Sequence, residues 1–200
     1  MHERKHLKTI KLAILASGSG TNAERITEYF KEKEGIEVSL ILSNKPDAFV
    51  LTRAEKLNVP TLVFNRSEFY ESDLVSGKLK EYEIDFIVLA GFLWLIPEYL
   101  THAYPNCILN IHPALLPKYG GKGMYGSRVH EAVKAAEETE TGITIHYVNE
   151  NYDEGQIIFQ ATCAINPSDT PDVIASKVHE LEYEHFPRVI EEVVTKSRKI

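Results

Sequence analysis

The sequence is poor in cysteine, has no long apolar run and carries no surplus of positive charge. Its two cysteines, Cys107 and Cys163, both lie in apolar, strand-like stretches. We therefore expect two buried free thiols, because a disulfide framework or a zinc site needs more cysteines at characteristic spacings. The longest apolar stretch, FIVLAGFLWLI, contains a glycine and is too short to span a bilayer. A disulfide scaffold and a membrane-spanning protein are therefore disfavoured.

The charge balance is acidic, with a formal net charge of −7 at pH 7. A protein that binds nucleic acid over a broad surface needs excess lysine and arginine on one face, so we expect no nucleic-acid partner. The amino-terminal segment MHERKHLKTI has neither the apolar core nor the cleavage site of a signal peptide. We therefore expect a cytoplasmic protein with no membrane partner.

Strand-like and helix-like segments alternate along the first half of the chain. This pattern is typical of βαβαβ units with parallel strands. Further along, TGITIHYVNE and QIIFQATCAI alternate polar and apolar residues, which predicts two antiparallel strands. The expected fold class is α/β, a doubly wound, Rossmann-like, mostly parallel sheet with helices on both faces and an antiparallel extension. Because no repeat or linker divides the 200 residues, we predict a single domain over residues 1–200.

Two helices can be predicted in more detail. The segment Ser67–Tyr82 is expected to form one polar helix, with Leu74 and Leu79 among its few inward-facing residues. The last helix should have Thr170 as its N-cap and Pro171 as its first residue, since proline suits the first helical position.

The glycine-rich turn SGSGTN joins the first strand to the first helix. Gly18 and Gly20 permit positive φ and close approach of a ligand to the backbone. Thr21 and Asn22 would begin the helix, where free N–H groups and the helix dipole favour an anion. The spacing also fits the dinucleotide fingerprint G-x-G-x-x-A, but Asp47 follows a proline and no acid ends the second strand. The turn therefore predicts a monophosphate site, with a plain capped turn as the alternative.

A polar pair ends the fifth predicted strand, where Asn110 and His112 flank Ile111 and precede Pro113. Side chains two residues apart share a face, so the amide and the imidazole should point the same way. An amide can hold an oxyanion and an imidazole can move a proton, which suits acyl chemistry. The alternative is a histidine that only binds a neighbouring loop. Asp153 is the best candidate for an orienting carboxylate, with an ordinary turn residue as its alternative.

The other histidines carry weaker signals. His146 lies within a strand, whereas His130, His179 and His185 lie on predicted helices, where core or surface positions are expected. No pair of them has metal-ligand spacing with a third group nearby, so we expect no metal.

Five segments, in order along nearly the whole chain, resemble the phosphoribosylglycinamide formyltransferase family of folate-dependent enzymes. SGSGTN resembles its phosphate loop, and VLAGFLWLIP resembles its folate-pocket strand and loop. LNIHPALLPKY resembles the segment with its catalytic asparagine and histidine, and TGITIHYVNENYDEGQII the segment that ends in its catalytic aspartate. HELEYEHFP resembles the final helix of the family.

The resemblance implies transfer of the formyl group of 10-formyltetrahydrofolate to the amine of glycinamide ribonucleotide, in purine biosynthesis. By motif position, Asn110 would donate to the tetrahedral oxyanion, and His112 would stabilise it and assist protonation of the folate nitrogen. Asp153 would raise the pKa of the histidine and, through water, relay the proton from the amine. The expected partners are these two small molecules, and the chain is expected as a monomer or homodimer without a metal.

The resemblance also assigns binding residues. Gly20, Thr21 and Asn22 would hold the phosphate, and Glu182 the ribose. The residues matched to folate contacts are Arg66, Leu93, Trp94, Leu95, Ile96, Asn110, Asn149, Glu150, Asn151, Tyr152 and Asp153.

Two features depart from the family pattern. Trp94 stands where an arginine is common, so the side-chain contacts of the folate pocket are expected to differ there. The segment Gly120–Gly126 is longer than the familiar form, and is either a lid over the folate tail or a surface loop with no role.

Two other functions fit part of the pattern. A formyltetrahydrofolate hydrolase shares the fold but carries an additional amino-terminal domain, for which we expect no room in this chain. A nucleotide-binding module without catalysis has no need of Asn110, His112 and Asp153 together.

Overall fold

The computed structural model describes residues 8–197. Residues 1–7 and 198–200, which include most of the segment used to predict location and both ends of the predicted domain, lie outside the described residues. The single domain over residues 1–200 stays a prediction. The strands are β1 (Ile10–Leu15), β2 (Ile36–Ser43), β3 (Thr61–Val63), β4 (Phe86–Leu89), β5 (Ile108–His112), β6 (Glu140–Tyr147) and β7 (Ile157–Ala164).

The described part of the chain also contains seven helices. They are α1 (Thr21–Lys31), α2 (Phe49–Leu57), α3 (Arg66–Tyr70), α4 (Leu74–Glu81), α5 (Glu98–Ala103), α6 (Ser127–Ala135) and α7 (Pro171–Ser197). Of these seven, α3 and α4 follow each other and none separates β6 from β7. Between residues 8 and 197, none of them is both long and apolar enough to cross a membrane.

The strands form one sheet in the order β3-β2-β1-β4-β5-β6-β7. The first five run parallel, and β6 and β7 are each antiparallel to the preceding strand. The predicted fold class, including the antiparallel extension, is confirmed. Because β1 has β2 on one side and β4 on the other, the strand order reverses between β1 and β4, and a crevice opens there at the carboxyl ends of the strands.

The core divides into two layers, one on each face of the sheet. Residues of β1 alternate between them: Leu12 and Ile14 face the layer under α1, α2, α6 and α7, whereas Ala13 and Leu15 face the layer under α3, α4 and α5. This alternation is what a strand buried on both faces requires.

The prediction of one helix over Ser67–Tyr82 is wrong, because a bend separates α3 from α4. Asn65 closes the start of α3 with a capping box, since its side chain accepts from the Glu68 backbone N–H and the Glu68 carboxylate accepts from the Asn65 N–H. Leu79 is buried as predicted, whereas Leu74, the first residue of α4, is 36% exposed.

Two smaller predictions have different outcomes. The Val173 N–H donates to the Thr170 hydroxyl at 3.3 Å, and α7 begins at Pro171, so the predicted start of this helix is confirmed. Cys107 and Cys163 are free thiols, but they are half-buried rather than buried. Cys163 lies on β7, an edge strand that has a neighbour on one side only.

Candidate active site

A cleft of about 650 Å³ lies at the carboxyl ends of the central strands. Its walls come from the glycine turn after β1, the segment after β4, the end of β5 with the loop that follows, and the turn between β6 and β7. Helices α6 and α7 add one wall through His130, His179 and Glu182. We call Asn110, His112, His146 and Asp153 the transfer end of the site. Gly20, Thr21, Asn22 and Glu182 form its anion end.

At the transfer end, the last residues of β5 present Asn110 and His112 to the cleft with Ile111 buried between them. The antiparallel neighbour β6 places His146 opposite Asn110. The turn between β6 and β7 then returns Asp153 to the same place. Gly155 makes this return possible, because a Cβ there would lie 1.6 Å from the Tyr147 carbonyl oxygen.

Asp153 is the centre of the transfer end. Its Oδ2 accepts from the Gly121 N–H at 3.0 Å and lies 3.4 Å from Nδ1 of His112. Its Oδ1 lies 3.4 Å from Nδ2 of Asn110 and 3.6 Å from Nε2 of His146. Burial alone would raise the pKa of this carboxyl group. The contacts with both histidines and with the Gly121 N–H outweigh burial and hold the pKa below 3.8, so Asp153 is ionised at neutral pH.

His112 is buried, and its ring is fixed on both sides. Nε2 lies 2.7 Å from the carbonyl oxygen of Tyr119, which only accepts, so Nε2 carries a hydrogen. Nδ1 faces Asp153. Burial lowers the pKa of His112 below 6.5, although Asp153 and the Tyr119 carbonyl both favour the charged ring. A proton that reaches Nδ1 therefore produces an imidazolium whose two N–H groups both face acceptors.

His146 is the residue of the transfer end that the sequence argument missed. Its Nδ1 donates to its neighbour's carbonyl, that of Tyr147, at 2.8 Å, and this leaves Nε2 as an acceptor in the neutral ring. Nδ2 of Asn110 donates to that Nε2 at 3.1 Å. The second N–H of the Asn110 amide turns toward Asp153 over 3.4 Å, which is long for a hydrogen bond. A ligand oxygen can therefore accept a hydrogen bond from this second N–H.

The anion end begins at Gly20, which caps α1 with φ +72°. A Cβ at this position would lie 2.4 Å from Cγ2 of Val50, so both the conformation and the space require glycine. Gly18 differs, because a Cβ there would meet nothing within 4 Å. Of the two glycines expected to permit positive φ, only Gly20 adopts it. Thr21 and Asn22 form the first turn of the helix and line the cleft.

Glu182 joins the last helix to the anion end. The Asn22 amide donates from Nδ2 to Oε2 of Glu182 at 2.8 Å. Since a carboxylate oxygen accepts, this bond fixes the amide and leaves Asn22 Oδ1 buried with no partner among residues 8–197. Burial raises the pKa of Glu182 above 4.5. The anion end therefore combines the N–H groups of a helix start with the buried Glu182 carboxyl group and an amide oxygen of Asn22 that has no partner among the described residues.

The residues matched to folate contacts fall into three groups. Leu93, Tyr152, Asn110 and Asp153 line the cleft. A second group lies outside the cleft lining and consists of Arg66, Trp94, Leu95 and Ile96. Within this group, Trp94 forms an aromatic patch with Phe64, Phe69, Tyr70 and Phe92. The third group, Asn149, Glu150 and Asn151, is exposed on the turn after β6.

Trp94 and Arg66 cover one side of this aromatic patch. The Arg66 guanidinium carbon lies 4.9 Å from the Tyr70 ring centre and 5.8 Å from that of Trp94. The Tyr70 hydroxyl donates to the Leu95 carbonyl at 2.8 Å and so holds the segment after β4 in place. Burial raises the pKa of Tyr70, although the nearby Arg66 guanidinium lowers it. Phe92 belongs to the patch and also lines the cleft, so the patch adjoins the cleft.

The segment Gly120–Gly126 is part of the cleft wall, because all its residues except the first line the cleft. Its Gly121 N–H binds Asp153. The segment therefore borders the site, and the choice between a lid over the folate tail and a surface loop with no role stays a prediction. Sequence reasoning also gave no place in the site to Lys45, Lys122 and the exposed His179, which add positive or ionisable groups to the cleft.

Three groups of metal-ligating type meet elsewhere. One ligand atom from each of Glu98, His102 and Glu150 lies within 4.8 Å of the other two, and all three residues are exposed. The sequence argument gave His102 no role. Exposed carboxylates commonly meet without a metal, so the expectation of a metal-free site stays a prediction.

Comparison with known proteins agrees with this arrangement. The family model described as "Formyl transferase" matches residues 10–190. A Bacillus subtilis phosphoribosylglycinamide formyltransferase is 36% identical over 191 residues, which cover 92% of this chain and 94% of the relative. A chloroplastic phosphoribosylglycinamide formyltransferase of Arabidopsis thaliana is 40% identical over 186 residues, which cover 90% of this chain but 64% of the relative. This chain therefore spans about two thirds of that plant protein.

A solved structure shows the same fold. The crystal structure of a phosphoribosylglycinamide formyltransferase from Bacillus halodurans matches with a TM-score of 0.84 and 36% identity, over 94% of this chain and 96% of the other. The sheet order, the cleft and the match along residues 10–190 lead to one conclusion. The chain belongs to the formyl transferase family.

Proposed function

We propose that this protein transfers the formyl group of 10-formyltetrahydrofolate to the amine of glycinamide ribonucleotide, a step of purine biosynthesis. The observation that carries the proposal is that one cleft holds an amide and an imidazole that both contact the same carboxylate, beside a helix start suited to an anion. The relatives named above have names that state this activity.

In the first step, the neutral amine attacks the formyl carbon, a carbon–nitrogen bond forms, and the formyl oxygen becomes an oxyanion. The second amide N–H of Asn110, which Asp153 holds only weakly, donates to that oxygen. Because His146 fixes the other N–H, the amide does not have to reorganise as charge develops. His112 lies two residues further along the same strand face and adds a second polar group.

The second step needs a proton to leave the amine and another to reach the folate nitrogen, as the bond from that nitrogen to the formyl carbon breaks. Asp153 is ionised and can accept a proton through water. His112 holds a proton at Nδ1 when its charge is balanced by Asp153. Because both of its N–H groups face protein acceptors, it passes that proton to the leaving nitrogen through Asp153 and water. No covalent bond to the protein is required.

The two substrates enter from different sides. The anion end takes the phosphate on the N–H groups of Gly20, Thr21 and Asn22, and Glu182 takes ribose hydroxyls. The folate is assigned to the side formed by Leu93–Ile96, the turn Asn149–Asp153 and Arg66. Trp94 supplies an aromatic face there, where the resemblance would have placed a cation.

The test follows the loss of the formyl group from 10-formyltetrahydrofolate by absorbance, with and without glycinamide ribonucleotide. Loss that depends on the ribonucleotide and yields the formylated product supports the transferase. Loss without the ribonucleotide indicates a formyltetrahydrofolate hydrolase, and binding without turnover indicates a nucleotide-binding module. Unchanged turnover in the presence of a chelator supports the metal-free site.

Two wider expectations belong to the same proposal. A cytoplasmic location is kept from the sequence argument, and cell fractionation tests it. The expectation of a monomer or homodimer also stays a prediction, which light scattering tests.

A further inference from the structure

His130 is a buried histidine that the proposed mechanism does not use. It lies on α6 beside the core residues Val129 and Val133, it is 3% exposed, and it lines the cleft. Its Nδ1 is buried and has no hydrogen-bond partner among residues 8–197. A histidine kept for the fold alone normally has such a partner, because an unsatisfied buried polar group destabilises the native state. The stability of the fold therefore does not explain why this imidazole is buried.

Two neighbours locate the ring between the ends of the site. Burial is the main cause that lowers the pKa of His130 to about 4, and the nearby His179 and His112 lower it further. His112 belongs to the transfer end, and His179 lies one helical turn before Glu182 of the anion end. His130 lines the same cleft as His112 and Glu182, so a ligand that joins the two ends of the site can contact it.

We propose that His130 contacts the glycinamide arm of the acceptor and positions the amine for attack on the formyl carbon. This inference rests on the proposed function, which supplies the identity of the acceptor. The arm carries an amide, with one N–H donor and one carbonyl acceptor. A neutral imidazole has one donor and one acceptor nitrogen, so it can pair with the amide in either tautomer.

The character of the ring fits this role. At neutral pH His130 is uncharged, so it does not repel the amine of the acceptor when that amine is protonated. For the same reason it does not compete with the anion end for the phosphate. Helix α6 packs against α7, which carries Glu182. The ring and the ribose-binding residue therefore keep a fixed separation, as a positioning residue requires.

The first arm of the test is steady-state kinetics on His130→Leu, His130→Gln and a control, His185→Leu. His185 is a half-buried helix histidine whose ring packs at a tilt against Phe159 and is not among the cleft-lining residues. His130→Leu should raise KM for glycinamide ribonucleotide about tenfold, the effect of one lost hydrogen bond, with KM for the folate unchanged. His130→Gln should restore part of the loss, and the control should behave as wild type.

The second arm is calorimetric binding of glycinamide ribonucleotide and of ribose 5-phosphate, which lacks the glycinamide arm. His130→Leu should weaken the ribonucleotide about tenfold and leave ribose 5-phosphate unchanged. The ligand-free variant should unfold at no lower temperature than wild type, because leucine removes an unsatisfied polar group from the buried side of α6.

Three outcomes would overturn the inference. If the wild type turns over the ribonucleotide and His130→Leu has an unchanged KM for it, the proposed contact is refuted and the proposed function stands. Equal weakening of both ligands together with a lower unfolding temperature indicates a structural role. Absence of ribonucleotide-dependent turnover in the wild type refutes the proposed function itself, and this inference with it.

Discussion

The two ends of the cleft satisfy their polar groups in opposite ways. At the transfer end the side chains contact one another, so that Asp153 alone faces Asn110, His112 and His146. At the anion end the Asn22 carbonyl oxygen is buried without a partner among the described residues. Groups that must meet a developing charge are held in place beforehand, whereas groups that bind a ligand keep bonding capacity for it.

This difference predicts different kinetic effects. Substitution at the transfer end removes stabilisation that exists only in the transition state, so kcat should fall. Substitution at the anion end removes binding shared by ground state and transition state, so KM should rise while kcat is kept.

The largest effect is expected for Asp153→Asn. The change preserves shape but removes the charge that both His112 and His146 face, and kcat should fall about 10³- to 10⁴-fold. The adjacent exposed acid offers a control, and Glu154→Gln should retain wild-type turnover. A loss below tenfold in Asp153→Asn would show that the carboxylate is not needed for transfer.

Asn110→Ala should come next, with kcat reduced about 10²- to 10³-fold and both KM values nearly unchanged. The reason is the loss of one preorganised oxyanion donor. His146→Leu, which removes only the group that fixes the amide, should lower kcat by a smaller factor. Equal losses in the two variants would mean that His146 does more than orient Asn110.

His130→Leu tests, through the free energy of unfolding, whether a buried histidine of the cleft lacks a hydrogen-bond partner when no ligand is bound. The folded-state pKa of His130 is about 4, below the ordinary 6.5, so the unfolded chain binds more protons between these values. Wild type should therefore lose stability as pH falls from 6.5 toward 4, by about 2–3 kcal/mol from this group. Urea unfolding at pH 7 and pH 4.5 should show a smaller loss in the variant, and parallel curves would contradict the assignment.

Glu182→Gln should act mainly on binding. Glutamine keeps the bond from Asn22 only through its carbonyl and loses the charge, so KM for glycinamide ribonucleotide should rise about tenfold with kcat within a factor of about two. The exposed neighbour gives the control, Glu180→Gln, which should match wild type. A fall in kcat at unchanged KM would place Glu182 in the chemistry instead.

The smallest effect is expected for Arg66→Ala. Loss of an exposed cation over Tyr70 and Trp94 should raise KM for the folate about two- to fivefold. Lys78 on α4 makes a similar contact with Tyr82, which follows the helix, and neither residue lines the cleft. Lys78→Ala should therefore leave KM unchanged. If both variants behave alike, Arg66 is not part of the folate side.

The transfer end was only partly predictable. Asn110 and His112 follow from the alternation of side chains on one strand, which is local. The strand position of His146 is predictable, but its place in the site is not, because nothing in its own segment shows that β6 pairs it with Asn110. That partnership depends on the register of two strands, and register is set by long-range packing.

Helix boundaries show the same limit. The start of α7 at Thr170 and Pro171 was predictable because a cap and a proline act locally. The break between α3 and α4 and the short helix α5 were not predicted, since such short helices depend on caps and on contacts with the rest of the fold.

The sequence by itself determined the order of the strands, the α/β class, the glycine at the start of α1 and the shared face of Asn110 and His112. These features depend on periodicity and on local backbone chemistry. Only the tertiary structure brought Asp153 to His112, Asn22 to Glu182, and the unpartnered His130 into the wall of the cleft. Such contacts join residues far apart in the chain, and their geometry comes from how sheet and helices pack, which no local pattern encodes.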